Sequence, residues 1–216
     1  MKYLLYVCMI MTLLACQKES LTVVEATEEE SFLKDRELTT MVTSMVAHDG
    51  SFDDVVDDSS CFSIDFPYTC YYNGWPYEVN SVEDLAPFSN ADYLMPEFPV
   101  NVTFANYTQA TVNSVQEFDL LKQLCADGEV YGEAITCIDF LYPIRVALYN
   151  TETSDFETIV FDHDKQTFLS IEDFDINTVA NIQYPIEMVI NNKDIVTIDS
   201  NAFLKTAILN MIPFCE

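Results

Sequence analysis

One short pattern recurs four times from residue 66 onward, and it constrains the fold more than any other feature of the chain. Each copy opens with an aromatic residue and a proline, and apolar residues then occupy every second position. The four opening dipeptides are Phe66-Pro67, Phe98-Pro99, Tyr142-Pro143 and Tyr184-Pro185. Because successive side chains of a strand point to opposite faces, this period places one face of each segment in a core.

Turn residues and a possible helix start follow each alternating segment. Polar turns such as Asn73-Gly74 and Asn191-Asn192 predict hairpins. Each unit then has a serine two residues after a further apolar position, and serine is a favoured helix N-cap. These serines are Ser81, Ser114, Ser170 and Ser200. Asp84, Glu117 and Asp173 complete a capping box in the first three units. Each unit is therefore predicted as strand, strand, helix, with an insertion in the third hairpin before Ser170.

The units pair into a longer duplication that the cysteines mark. Two cysteines precede the first and third units by five residues, and two lie near the ends of the second and fourth predicted helices: Cys61, Cys137, Cys125 and Cys215. This predicts an α+β protein of two tandem ββαββα modules, 61–128 and 137–216. Each module is expected to have a mainly antiparallel sheet with helices on one face. An all-β sandwich is the alternative if the short helical stretches are loops.

The same placement predicts the disulfides. Equivalent positions pair Cys61 with Cys125 and Cys137 with Cys215. Cys70 occupies an alternating core position that other units fill with valine or methionine, so it is expected to remain a buried thiol. Two such bridges imply an oxidising compartment.

The first residues predict export and lipid attachment. Residues 1–16 carry one lysine and then an apolar run too short to span a bilayer comfortably, which is typical of a signal peptide. The sequence Leu13-Leu14-Ala15-Cys16 resembles the bacterial lipobox, in which the cysteine is acylated and becomes the new N-terminus. Ordinary signal cleavage beside an incidental cysteine is the alternative. Several acyl chains, palmitate among them, would anchor Cys16 durably in the outer membrane.

The segment between this cysteine and the repeats has two predicted parts. Residues 17–30 are acidic, lack apolar periodicity and are interpreted as a solvated tether. Residues 31–60 are interpreted as an amphipathic helix followed by an acidic linker that contains Asp53-Asp54 and Asp57-Asp58. Calcium binding by these aspartates is the alternative to a solvated linker.

Composition and motifs exclude some functions. The chain has 36 acidic and 9 basic side chains and a net charge of −27, so we expect it not to bind nucleic acid. His48 and His163, its two histidines, stand outside metal and catalytic motifs, and no GxSxG, P-loop or GxGxxG sequence is present. The sequence therefore predicts a non-enzymatic protein without a catalytic residue or obligatory cofactor.

Two weaker patterns suggest ligands. Asp162, Asp164 and Asp173 loosely match calcium-loop positions, although Thr167 stands where that loop needs glycine. Trp75, with Tyr71 and Tyr77, could form a platform for stacking sugars, while packing against the core is the alternative. A carbohydrate- or calcium-binding module is thus the second hypothesis for function.

The combined motifs resemble a known group. The lipobox, the stretch HDGSFDDVVDDSSCFSIDFP, the recurring [FY]-P…V-N-S-x-[EQ]-[DE] units and the sequence CIDFLYP are similar to surface lipoproteins of flavobacterial (Bacteroidota) type. Gln17-Lys18-Glu19-Ser20 also resembles the export signal of such lipoproteins. The resemblance implies a lipid-anchored outer-membrane protein exposed at the cell surface, with the periplasmic face as the alternative. It transfers no catalytic residue, and the protein or glycan partner stays open.

Overall fold

A computed structural model describes residues 30–89, 94–130, 132, 134–191 and 193–215. The predicted signal peptide, Cys16 and nearly all of the predicted tether lie outside the described residues. The described chain contains helices and short antiparallel strands, and the predicted α+β fold class is confirmed.

The N-terminal arm, residues 30–47, contains the predicted amphipathic helix. A 3₁₀ turn at Phe32–Lys34 precedes helix α1, Arg36–Met45. Asp35 caps α1 because its carboxylate accepts the backbone N–H groups of Glu37 and Leu38. The apolar residues of α1 recur on one face and are buried.

The acidic stretch after the arm is not a solvated linker, so that prediction is wrong. It forms a 3₁₀ turn at Ser51–Asp53 and a one-turn helix α2 at Asp54–Asp57. Asp53 and Asp57 are 0% exposed, because the 3₁₀ turn contacts β1 and Val56 of α2 belongs to the first hydrophobic core. The alternation of charge and apolar residues in DDVVDD follows the helical period.

The described residues of the first module form six strands and one α-helix. Their order is β1 (Phe62–Ile64), β2 (Tyr68–Tyr72), β3 (Trp75–Val79), a 3₁₀ helix (Val82–Phe88), β4 (Met95–Pro96), β5 (Val100–Phe104), β6 (Gln109–Val112) and α3 (Val115–Ala126). The second module has β7 (Ile138–Leu141), β8 (Ile144–Asn150), β9 (Phe156–Phe161), α4 (Asp164–Asp173), β10 (Thr178–Ile182), β11 (Ile186–Ile190), β12 (Asp194–Ile198), α5 (Asn201–Met211) and a 3₁₀ turn (Ile212–Phe214).

Each predicted hairpin gains a third strand from elsewhere in its module. The four sheets have the orders β3-β2-β4, β1-β5-β6, β10-β8-β9 and β12-β11-β7. Within each module, the strand that precedes one hairpin pairs with the other hairpin of the same module. Thus Phe62 of β1 lies opposite Phe104 of β5, and Ile138 of β7 lies opposite Ile190 of β11. Each module therefore has two three-stranded sheets and not one four-stranded sheet. All four aromatic-proline bonds are cis and lie between the exchanged strand and the hairpin.

The third unit departs from the predicted register. Its helix is α4, so the predicted N-cap Ser170 lies inside the helix and Asp173 is its last residue. The N-cap is His163, whose Nδ1 accepts the N–H of Gln166. Gln166 in turn accepts the N–H of Asp162 through Oε1. The insertion in the third hairpin is correspondingly shorter than the sequence predicted.

The other caps agree better with the pattern. The hydroxyls of Ser114 and Ser200 accept backbone N–H groups three residues later, as an N-cap should. The carboxylates of Asp84 and Glu117 accept the N–H groups of Asn80 and Asn113, the residues before Ser81 and Ser114. These bonds satisfy backbone donors at the start of each helix. The side chain of Ser81, by contrast, makes no capping hydrogen bond.

The described residues form two hydrophobic cores. The N-terminal arm belongs to the core of the second module, which is farther from it in sequence. The first core contains residues from both sheets of the first module, with Phe118 of α3 beneath them. The second contains the apolar residues of the second module together with those of the arm. Ser31 fixes the arm, because its hydroxyl donates to the carbonyl of Ala180 and accepts the N–H of that residue. Lys205 of α5 forms ion pairs with Asp35 and Glu37.

Both predicted disulfides are present. Cys61 is bonded to Cys125, and Cys137 to Cys215, so each bridge closes one module. Cys70 is a buried free thiol, as predicted.

Candidate functional site

A cleft lies where the N-terminal arm, the β5–β6 turn and the second module meet, and it is named the junction cleft. It has a volume of about 370 Å³, and its walls include His48, Asp49, Phe52, Tyr107, Asp139 and Asp164. These residues come from distant parts of the chain. They come together because the arm packs on the second module, and the chain then continues into the first module.

His48 is held rigidly at one wall. Its backbone N–H donates to the carbonyl of Ala105 over 2.8 Å, and its Nε2 lies 2.6 Å from the hydroxyl oxygen of Ser63. The imidazole also packs edge-on against the ring of Tyr107, with centroids 5.6 Å apart. Burial lowers the pKa of His48, because the charged imidazolium loses hydration.

Tyr107 forms the floor between the modules. It lies in the β5–β6 turn with φ of 63°, a conformation that tight turns require. Its hydroxyl donates to the carbonyl of Val46 over 2.9 Å. The ammonium of Lys165 lies 5.8 Å above the centre of its ring, within the range of a cation–π contact.

Two carboxyl groups face each other at the opposite wall. Asp139 lies on β7 and Asp164 begins α4, where a negative charge is favourable. Burial and the adjacent Asp164 carboxyl raise the pKa of Asp139 to about 6. The hydroxyl of Tyr142 donates to Asp164 over 2.6 Å and fixes its orientation.

The cleft brings an imidazole, carboxyl groups and two aromatic rings to one place. The imidazole of His48 is within hydrogen-bond distance of the hydroxyl of Ser63, a residue that is 2% exposed. Carboxylates next to the rings of Phe52 and Tyr107 are suited to hydroxyl-rich or cationic ligands.

The predicted calcium ligands do not converge. Asp164 and Asp173 are the first and last residues of α4, about 13 Å apart along the helix axis at 1.5 Å per residue. Of the three, only Asp164 lines the junction cleft. Over the described part of the chain, no group of three or more histidine, cysteine, aspartate or glutamate residues is arranged to hold a metal ion.

The predicted aromatic platform is divided between two faces of one hairpin. Trp75 and Tyr77 share a face of β3, and Tyr77 packs against Phe88 with centroids 5.1 Å apart. Tyr71 pairs with Pro76 on the other face, where its hydroxyl donates to Glu97. Trp75 itself is 71% exposed, so core packing does not account for its ring.

The sequence alone missed the junction cleft. His48, Tyr107 and Asp139 are far apart in sequence and belong to no local motif. The one available signal was the apolar face of α1, which required a partner surface without saying which module supplies it.

The fold and these sites define a disulfide-closed α+β protein of two modules with a shared N-terminal arm. No protein-family model, curated protein or solved structure matches the chain. Among the described residues, no helix is both long enough and apolar enough to span a membrane.

Proposed function

We propose that the protein is a lipid-anchored, non-enzymatic lipoprotein of the bacterial outer membrane, displayed at the cell surface and serving a binding role. The observation that carries this proposal is the pair of disulfides, one closing each module. Such bonds persist in compartments outside the reducing cytosol. The lipobox at Cys16 and the acidic segment before the arm supply the anchor and the tether.

The non-enzymatic role is supported by how the reactive side chains are used. His48 contacts Ser63, Tyr107 bonds to the arm, and Tyr142 orients Asp164. Each of these groups stabilises the packing of neighbouring elements. The junction cleft is therefore proposed as a ligand-binding surface.

Replacement of the anchor residue tests the proposed location. We expect Cys16→Ser to move the protein from the membrane fraction to the soluble fraction, because no acyl chain can then be attached. The measurement is an immunoblot of both fractions after cell lysis.

Cys8→Ser is the matched control, because Cys8 lies in the same apolar run outside the lipobox, and it should leave the protein in the membrane. Protease added to intact cells should digest the unaltered protein while sparing a periplasmic marker. A Cys16→Ser protein that stays in the membrane fraction would contradict lipid anchoring, and protection from protease would contradict surface display.

Carbohydrate binding at Trp75 is a second candidate function. The specific observation is the exposed indole at the start of β3, beside the half-exposed ring of Tyr77. Exposed aromatic faces stack on the apolar faces of sugar rings. The strong negative charge of the protein makes neutral oligosaccharides the better probes.

Trp75 is the single tryptophan, so its fluorescence reports directly on this surface. We expect a neutral oligosaccharide from a screened panel to shift the emission, and Trp75→Ala to weaken binding about tenfold or more in calorimetry. Phe156→Ala is the control, because Phe156 is also exposed (68%) at the start of a hairpin strand, β9. Equal affinity in both variants would exclude Trp75 as the binding surface.

A further inference from the structure

Two aspartates beside α2 are buried with half of their oxygens unused. Asp53 ends the 3₁₀ turn and Asp57 ends α2 four residues later, and both side chains are buried. One oxygen of Asp53 accepts the N–H of Ile64 over 2.8 Å, and one of Asp57 accepts the N–H of Ser59 over 3.2 Å. The other oxygens, Asp53 Oδ1 and Asp57 Oδ2, are buried without a hydrogen-bond partner.

A third buried oxygen, the hydroxyl of Tyr68, lies close enough to both carboxyl groups for their charges to act on it. Tyr68 is 8% exposed, and its hydroxyl also lacks a hydrogen-bond partner. The charges of Asp53 and Asp57 both act on this hydroxyl, and with burial they raise the pKa of Tyr68. Ring contacts from Phe52 to Phe66 and from Phe66 to Tyr68 hold the tyrosine beside the acidic turn.

These carboxyl groups have no protein cation to balance them. Within the described chain, no ion pair links either aspartate to a lysine or arginine. Lys122 attracts Asp57 electrostatically, but its ammonium lies 5.9 Å above the ring of Phe118. Burial raises the pKa of both carboxyls. Repulsion from Asp54 and Asp49 adds to the rise for Asp53, and repulsion from Asp53 and Asp54 adds to the rise for Asp57. An ionised, unpaired carboxylate in such a position costs several kcal/mol.

We infer that Asp53, Asp57 and the Tyr68 hydroxyl form a buried site for one hard divalent cation, with calcium as its occupant. Two carboxylates supply two negative charges, which a divalent ion neutralises. All three unpartnered atoms are oxygens, the ligands that calcium prefers, and water can complete its shell of six to eight. Magnesium is the poorer match, because it requires near-ideal octahedral geometry and retains most of its water.

The site is separate from the junction cleft and from Trp75, and it does not depend on the proposed function. It lies between the acidic turn and the first module, where the turn contacts β1 and the rings of Phe52, Phe66 and Tyr68 form a chain of contacts. A bound ion would join the turn, through Asp53 and Asp57, to the first residue of β2. Calcium is therefore expected to stabilise the first module without contacting its exposed surface.

Thermal unfolding of the purified, chelator-treated protein tests the site. With calcium about 100-fold above a dissociation constant of about 10⁻⁴ M, we expect the Tm to rise by about 5–10 °C. Magnesium at the same concentration should raise the Tm clearly less. Calorimetric titration should give one calcium per chain with a dissociation constant of about 10⁻⁴ M, distinct from the still weaker binding expected of an acidic surface.

Variants separate a cation from a shared proton. Asp57→Asn and Tyr68→Phe should each abolish the calcium-dependent rise in Tm. Tyr68→Phe retains the packing of the ring, so it still tests the site if Asp57→Asn does not fold. Asp58→Asn is the matched control, because Asp58 is an exposed neighbour, and it should keep the rise. If calcium leaves the Tm of the unaltered protein unchanged and Asp57→Asn raises it at neutral pH, the carboxyls share a proton and the proposal is wrong. An equal calcium response in all variants would also overturn it.

Discussion

Replacing Val42 with aspartate is expected to unfold the second module, which begins almost a hundred residues later in the chain. Val42 is buried in α1, in the core that the arm shares with the second module. Burying an unpaired carboxylate there costs several kcal/mol, against a total stability of about 5–15 kcal/mol for a domain. Hydrogen exchange should then show loss of protection across residues 138–211, while residues 62–126 keep much of theirs, since their core is separate.

Thr40→Asp is the matched control because Thr40 lies on the exposed side of the same helix. It should leave exchange nearly unchanged. If Val42→Asp left the protection of 138–211 intact, the second module would be independent of the arm. The result also bears on the two-module prediction, since a fragment limited to 137–216 lacks the arm's buried residues and should not fold alone.

Removal of the second disulfide is expected to produce the other large effect. The bridge between Cys137 and Cys215 spans 78 residues, and closing a loop of that size stabilises by about 4 kcal/mol in the chain-entropy model. The double variant Cys137→Ser, Cys215→Ser should therefore unfold at a much lower urea concentration than the unaltered protein. Urea titration followed by circular dichroism measures the shift.

Cys70→Ala serves as the comparison, because it removes a buried thiol without opening a loop. It should cost clearly less than loss of the bridge, in the range of small core truncations. If the double variant and Cys70→Ala shifted the urea midpoint equally, the bridge would contribute only the packing of its sulfur atoms.

The hairpins were predictable because alternation is local. Val100–Phe104 and Ile144–Asn150 carry apolar residues at every second position, and each has a turn after it. The exchanged strands were not predictable. Phe62–Ile64 has three residues and Met95–Pro96 has two, so both are too short for a period to be recognised. Their existence depends on pairing partners far along the chain.

Helix α4, the helix of the third unit, shows a different limit of prediction from sequence. Its N-cap is a histidine, which is not among the residues favoured at that position, whereas Ser170 fits the serine pattern of the other units. The pattern therefore placed the helix start seven residues too late. Phe161, two residues before His163, holds the buried position that the alignment assigned to Phe168.

The candidate sites depend still more on long-range packing. The charge run at Asp53–Asp58 indicates solvation when considered alone, because isolated aspartates are rarely buried. Only the position of β1 and β2 shows that two of them are enclosed. The junction cleft likewise requires that α1 bind to the second module, a choice that amphipathicity leaves open.

The exchange of strands between hairpins also bears on how such a chain could have originated. Consider a single unit made of a first strand, a hairpin and a helix. Alone, its hairpin would lack a third strand at one edge, and its first strand would have no hairpin to pair with. Two identical copies would resolve both deficits by trading strands, which is a closed two-fold dimer. Each module has this arrangement within one chain, with β1 given to β5 and β4 given to β2. Each module therefore has the architecture of a pair of short units that exchange strands, and the described chain contains two such pairs in tandem.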